Sequence, residues 1–259
     1  VNRTLPARID LNCDMGEGYG AWRMGDDAGV MPWISSASIA CGFHAGDPEL
    51  MRDTVLLARD HGVAIGAHVS FPDLQGFGRR EMKLAPATVR ELVLYQIGAL
   101  AAIARGAGTR LAHVKPHGAL YNMAARDAAL AAAVAEAVRA FDSDLVLYAL
   151  AGSESVRAAR ALGLSVAEEA FCDRRYEADG SLTPRGIVGA VLDDPEMACE
   201  QAAAIVRDAA VQARDGSRVA LTADTLCVHG DRSDAATFAQ RLSATLRNAG
   251  VRIAAPLAA

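Results

Sequence analysis

Residues 37–67 read ASIACGFHAGDPELMRDTVLLARDHGVAIGA. The apolar run Ala37 to Ala40 has the length of a buried strand. Asp47-Pro48 then looks like an N-cap followed by proline at the first helical position, opening a helical stretch from Pro48 to Asp60. Gly62 stops that helix, and a second apolar run, Val63 to Ala67, follows. Strand, helix, strand in this order implies two parallel strands joined by a crossover helix.

The same alternation extends both ways along the chain. Further apolar runs lie at Ala7 to Leu11, Leu111 to Val114, Leu145 to Leu150, Leu164 to Ala167 and Val219 to Val228. Helical stretches fall between most of them: Pro86 to Arg105, Arg126 to Phe141, Ser153 to Leu162 and Pro195 to Ala213, with a last one from Asp234 to Ala249. Gly106, Gly163 and Gly250 read as their stops. Seven or so such units over residues 1–259 fit one α/β barrel domain, complete or slightly irregular, with an open doubly wound sheet as the alternative. The stretch from Phe171 to Asp194 breaks the rhythm. It is polar and turn-rich, and a long irregular loop in a compact domain is often functional.

Composition narrows the function classes. The 259 residues are 52% hydrophobic and 22% charged, which predicts a packed core. A net charge of −5 argues against nucleic acid as a partner. No apolar run approaches the roughly 20 residues of a membrane span. Val1 to Pro6 lacks an apolar stretch of secretory type, and five scattered cysteines show no C-x-x-C spacing, so a cytoplasmic protein with reduced thiols is expected.

In a parallel barrel the active site gathers where strands end. Side chains alternate along a strand, so Asp10, Asn12 and Asp14 share one face while Ile9 and Leu11 face the helices. Four of the six histidines, His44, His68, His117 and His229, fall at such strand ends. His61 instead precedes Gly62 at a helix end, where the dipole accounts for it. Lysine occurs only at Lys83 and Lys115, and Lys115 lies on the inward face of its run with His113 and His117. A lysine kept where the chain otherwise uses arginine suggests a compact charge or a shifted pKa. Asp10, Asp14 and Glu17 with His44 and His68 form a set that suits a divalent metal, Asp14, His44 and His68 being the candidate ligands, and the presence of a metal stays open. Cys13 and Cys41 are either nucleophiles or inert buried thiols. Arg79, Arg174 and Arg185 lie in loops and offer forks for carboxylate or phosphate. No G-x-x-x-x-G-K-[ST] loop occurs.

The motifs together resemble the LamB/YcsF family, the A subunit of prokaryotic 5-oxoprolinase. The resemblance is carried by Asp10-Leu11-Asn12-Cys13-Asp14-Met15-Gly16-Glu17, by Ser38 to Asp47, and by Gly66-Ala67-His68 with Phe71-Pro72-Asp73. It continues through Gly76 to Arg80, Val114-Lys115-Pro116-His117 to Asn122, Phe171 with Asp173-Arg174, Leu182 to Arg185, and Cys227-Val228-His229-Gly230-Asp231. It implies an irregular seven-stranded α/β barrel like that of glycoside hydrolases and polysaccharide deacetylases. It implies ATP as cosubstrate, hydrolytic opening of the cyclic amide 5-oxo-L-proline to L-glutamate, and B and C subunits as partners. On that reading Asp10 or Asp14, with His44 or His68, activates water. Asn12, Lys115, His117 and His229 complete the catalytic set. Glu17, Arg79, Tyr121, Asp173, Arg174, Arg185 and Asp231 are the expected substrate-binding residues. Two alternatives remain, a self-sufficient metal-dependent amide or ester hydrolase and a lactam-binding module without chemistry of its own.

Overall fold

The computed structural model describes residues 8–230 and 234–256. The first half runs β1 (Arg8–Met15), α1 (Asp27–Val30), β2 (Ser36–Ala40), α2 (Pro48–Asp60), β3 (Ala64–Val69), α3 (Pro86–Gly106), β4 (His113–Pro116), α4 (Gly118–Ala124) and α5 (Ala128–Phe141). The second half runs β5 (Val146–Leu150), α6 (Glu154–Ala161), β6 (Val166–Phe171), α7 (Pro195–Asp208), β7 (Ala210–Gln212), β8 (Arg218–Ala220), β9 (Thr225–His229), α8 (Ala235–Asn248) and β10 (Arg252–Ile253).

Seven parallel strands close a barrel in the order β1-β2-β3-β4-β5-β6-β9, with β9 returning to β1. The closure excludes the open sheet. β10 adds a short parallel pairing at the start of β1. α2 spans the predicted residues, and the Asp47 carboxylate accepts from the Glu49 and Leu50 amides as a cap. Asp127 and Asp194 cap α5 and α7 in the same way.

Three expectations need correction. The run Val219 to Val228 is not one strand. Its start belongs to β8, which pairs antiparallel with β7, and only Thr225–His229 joins the barrel. The helix expected to reach Ala213 therefore ends at Asp208, where Ala209 adopts φ 45°. Gly106 is the last residue of α3, and the left-handed turn after it falls on Gly108 with φ 73°.

Ile9, Leu11, Cys13 and Met15 of β1 are buried in the main apolar core between strands and helices. At 21 residues, α3 is long and apolar enough to cross a membrane by composition. Its Val89, Val93, Ile97 and Leu100 are instead buried in that core. Its buried Gln96 bonds both the amide and the carbonyl of Ser70. The interior of the barrel is mostly polar. Asp10, Asn12, Ser36, Ser38, His113, Lys115, Glu169 and Thr225 are all buried there. Such a column is stable only when its members satisfy one another.

Candidate active site

Strand register builds that column. Asp14 lies opposite His229, Asn12 opposite Cys227, His68 opposite Lys115 and Glu169 opposite Thr225. Asp10 sits deepest. Its carboxylate accepts from Ser35 at 2.6 Å, Ser36 at 2.8 Å, Thr225 at 2.6 Å and Tyr148 at 2.9 Å. Burial raises its pKa, and those four hydroxyls pull it back. Asp10 does not reach the cavity above, so its position fits a brace rather than a base. Asn12 stands one step higher, donating to Glu169 Oε1 and Thr225 Oγ1.

Lys115 is the hub. Its Nζ lies 3.0 Å from Asn12 Oδ1, 2.8 Å from Asp14 Oδ1, 2.8 Å from Glu169 Oε1 and 3.1 Å from Cys227 Sγ. Burial disfavours the ammonium, but the Asp14 and Glu169 carboxylates outweigh it and hold its pKa well above the usual lysine value. An ammonium has three hydrogens, and these partners already use them. Lys115 is thus a fixed charge and not a proton shuttle. Burial pushes Asp14 up, but His68 and Lys115 win and hold it well below the usual carboxylate range. Removing one partner from such a buried set costs on the order of 3–5 kcal/mol.

A cavity opens above this hub, lined by Asp14, Glu17, His68, Arg79, Lys115, His117, Tyr121, Phe171, Arg174, Arg185 and His229 among others. His229 turns Nδ1 toward Asp173, with both carboxylate oxygens 2.8 Å away. Asp173, expected to bind substrate, is spent on this histidine. His229 also stacks on Phe171. The pairing leaves Nε2 as the ring atom able to exchange a proton. The buried Tyr121 hydroxyl is pushed well up in pKa by burial and the nearby Glu169 carboxylate.

Three arginines line the cavity. Arg79 lies over the Phe77 ring, 4.8 Å from its centroid. Arg174 is buried, donates to the Thr183 carbonyl at 2.6 Å, and is lowered to about 10 by burial and the neighbouring Arg185. Its Nε has no hydrogen-bond partner, as an anion-binding guanidinium would show before its ligand arrives. Arg185 itself is exposed. Arg80 pairs with Asp73 instead.

The remaining histidines form a second group. His68 Nε2 lies 2.9 Å from His117 Nδ1 and 3.3 Å from Asp14 Oδ2. His44 stacks on His117 at 3.9 Å and contacts Glu17 Oε1 at 3.3 Å. Burial drives both His44 and His117 well below the usual imidazole pKa. His44 does not line the cavity with the others; it borders a neighbouring hollow with Tyr19, Trp22 and Phe77. Asp231 lies outside the described residues. The thiols of Cys13 and Cys41 are buried, and burial pushes Cys41 to about 12 and Cys13 well up, which fits the inert reading.

Sequence reading missed Glu169, whose carboxylate holds both Lys115 and Asn12. The expected strand stopped at Ala167, although alternation from Ala167 places Glu169 and Phe171 on the same inward face. It also missed the Phe77 carbonyl, which accepts from His117 Nε2 at 2.8 Å. No side-chain pattern announces a backbone acceptor.

Comparison with known proteins agrees with this fold. Residues 9–259 match the model of the LamB/YcsF family. A Bordetella pertussis protein that carries the name of the 5-oxoprolinase A subunit is 58% identical over 247 residues, covering 95% of this chain and 98% of its own length. The crystal structure of a lactam utilization protein from Thermus thermophilus superposes with a TM-score of 0.90 at 48% identity, covering 96% of this chain and 100% of its own. T48 deacetylase, solved with substrate, shares the fold with a TM-score of 0.51 at 13% identity, covering 95% of this chain and 87% of its own.

Proposed function

The chain belongs to the LamB/YcsF family, and on that premise we propose that it is the ring-opening component of an ATP-dependent 5-oxoprolinase. Its substrate on this reading is 5-oxo-L-proline, its product L-glutamate, and its partners are the B and C subunits. The observation that carries the reading is one cavity that joins the His229–Asp173 pair to Arg79, Arg174 and Arg185 above the Lys115–Asp14 hub. The names of the Bordetella and Thermus relatives support the substrate class.

A five-membered lactam resists water, and phosphorylation of its oxygen by ATP makes C5 electrophilic. The chain has no G-x-x-x-x-G-K-[ST] loop, so we assign that transfer to the partner subunits. His229 Nε2, oriented by Asp173, takes a proton from water as its oxygen adds to C5. The ring C–N bond then breaks, and the same proton goes to the leaving nitrogen. The acyl phosphate so formed loses phosphate to a second water. Arg174 and Arg185 hold the anionic groups, and Lys115 with Asp14 keeps the floor of the site in one charge state.

Glutamate release from 5-oxoproline tests this, with the chain alone and mixed with the B and C subunits, with and without ATP. Release only in the complete ATP-containing mixture supports the reading. Release from the chain alone without ATP would replace it with a self-sufficient amide hydrolase.

A further inference from the structure

Glu17, His44, His68 and His117 are buried, and the ring-opening sequence gives them no task. One ligand-type atom from each lies within 4.8 Å of the others. The hydrogen-bond pattern fixes where the ring protons sit. His68 Nδ1 is 3.0 Å from the Lys115 carbonyl, and His117 Nε2 is 2.8 Å from the Phe77 carbonyl. A carbonyl only accepts, so both of those nitrogens carry hydrogen. The two nitrogens left over, His68 Nε2 and His117 Nδ1, face each other across 2.9 Å, and with both rings neutral, the form that binds a metal, each offers a lone pair. Glu17 Oε1 lies 3.9 Å from the first and 3.4 Å from the second. Two lone pairs and a carboxylate oxygen thus converge on one point.

We propose that Glu17, His68 and His117 bind one divalent transition-metal cation, zinc by the character of the donors. Nitrogen and oxygen ligands about 2.0–2.1 Å from zinc in tetrahedral array stand roughly 3.3–3.4 Å apart, and the three spacings here surround that value. Imidazoles that ligate a metal commonly donate their other N–H to a carbonyl, as both rings do. His44 plays a different part. Its ring is within 7° of parallel to His117, so its lone pair cannot aim at a point in the His117 plane. It supports Glu17 from 3.3 Å instead. The three ligands line the cavity and His44 does not, so the open coordination position faces the substrate space. A cation there supplies Lewis-acid polarisation of an entering oxygen. This ligand set differs from the Asp14, His44 and His68 expected from sequence: Asp14 Oδ2 approaches His68 Nε2 at 3.3 Å, but the ligand-type atoms of Asp14 gather with Cys227 and His229, whereas Glu17 gathers with His68 and His117. The inference does not depend on the lactam reading, since metal binding needs no substrate.

The test is calorimetric titration of the chelator-treated chain with Zn²⁺, repeated with Co²⁺ and followed by visible absorption. We expect one equivalent bound, with a cobalt spectrum free of thiolate charge transfer. Glu17→Gln and His68→Ala should each weaken Zn²⁺ by more than about 100-fold, and His44→Ala by about 10- to 100-fold, as outer-shell changes do. Asp14→Asn should still bind one equivalent. An anomalous peak among Glu17, His68 and His117 in Zn²⁺-soaked wild-type crystals is expected and does not depend on any variant folding. No saturable binding by the wild type, a thiolate signature from Cys227, a peak beside Cys227 and His229, or unchanged affinity in Glu17→Gln would overturn the assignment.

Discussion

In the proposed reaction Lys115 and His229 have different parts. The first has every hydrogen committed to Asn12, Asp14 and Glu169 and supplies position and charge. The second has one nitrogen committed to Asp173 and the other available. Asp173→Asn tests this division. The amide can donate to Nδ1 and would then favour the wrong tautomer, with the N–H on Nε2. We expect kcat for glutamate release to fall by about 100- to 10,000-fold with little change in KM. An unchanged kcat would show that His229 is not the base. At this scale the sequence was informative about face and uninformative about depth. Period-two alternation put Asp10, Asn12 and Asp14 on one side, yet nothing in it separated the braced Asp10 from the cavity-lining Asp14.

Among the elements, the turn between β3 and α3 does the most positioning. Phe77 and Gly78 both have positive φ, 54° and 64°, which aims the Phe77 carbonyl at His117. A Cβ on Gly78 would lie 2.3 Å from Ser70 Oγ and 2.9 Å from both His117 Cδ2 and His44 Cβ. Gly78→Ala should therefore cost on the order of 1–3 kcal/mol in chemical denaturation and lower activity with it. Gly98, inside α3 with open space around its Cβ position, is the counter-case. Gly98→Ala should stabilise by about 0.5–1 kcal/mol and leave activity alone. Destabilisation by both would show that the turn geometry is not what matters. The long elements were legible because caps and apolar runs mark them, as in α2. α4 was not, since seven residues opening on a glycine carry too little pattern. β8 was absorbed into a longer apolar run because composition does not reveal a hairpin reversal.

For the molecule as a whole, a polar barrel interior ties stability to pH. Burial holds His113 neutral, with its pKa lowered to about 3. Below pH ~6.5 the unfolded chain gains a proton there that the folded chain refuses, so stability falls by about 1.4 kcal/mol per pH unit from this ring. Asp14, held low, acts in the same direction only below pH ~4, where its stabilising share is lost. On the alkaline side, burial keeps the Cys172 and Cys227 thiols protonated in the fold. Above pH ~8.5 their ionisation favours the unfolded chain. Urea midpoints across pH should peak between these limits, and His113→Gln should flatten the acid slope. A slope unchanged by that substitution would mean the ring is charged in the fold. The parallel strand–helix alternation was legible in the apolar runs, whereas closure of the barrel and the contents of its interior depend on register, which only the folded chain supplies.

On the proposed function, this chain opens a ring that its partners have already activated. The direct measurement is the ratio of ADP to glutamate formed when His229→Ala replaces the wild type in the complete mixture with 5-oxoproline. Substrate-dependent ADP formation should continue while glutamate falls by about 100-fold or more, in keeping with loss of a general base. ADP and glutamate falling together in a fixed ratio, or glutamate release undiminished, would contradict it.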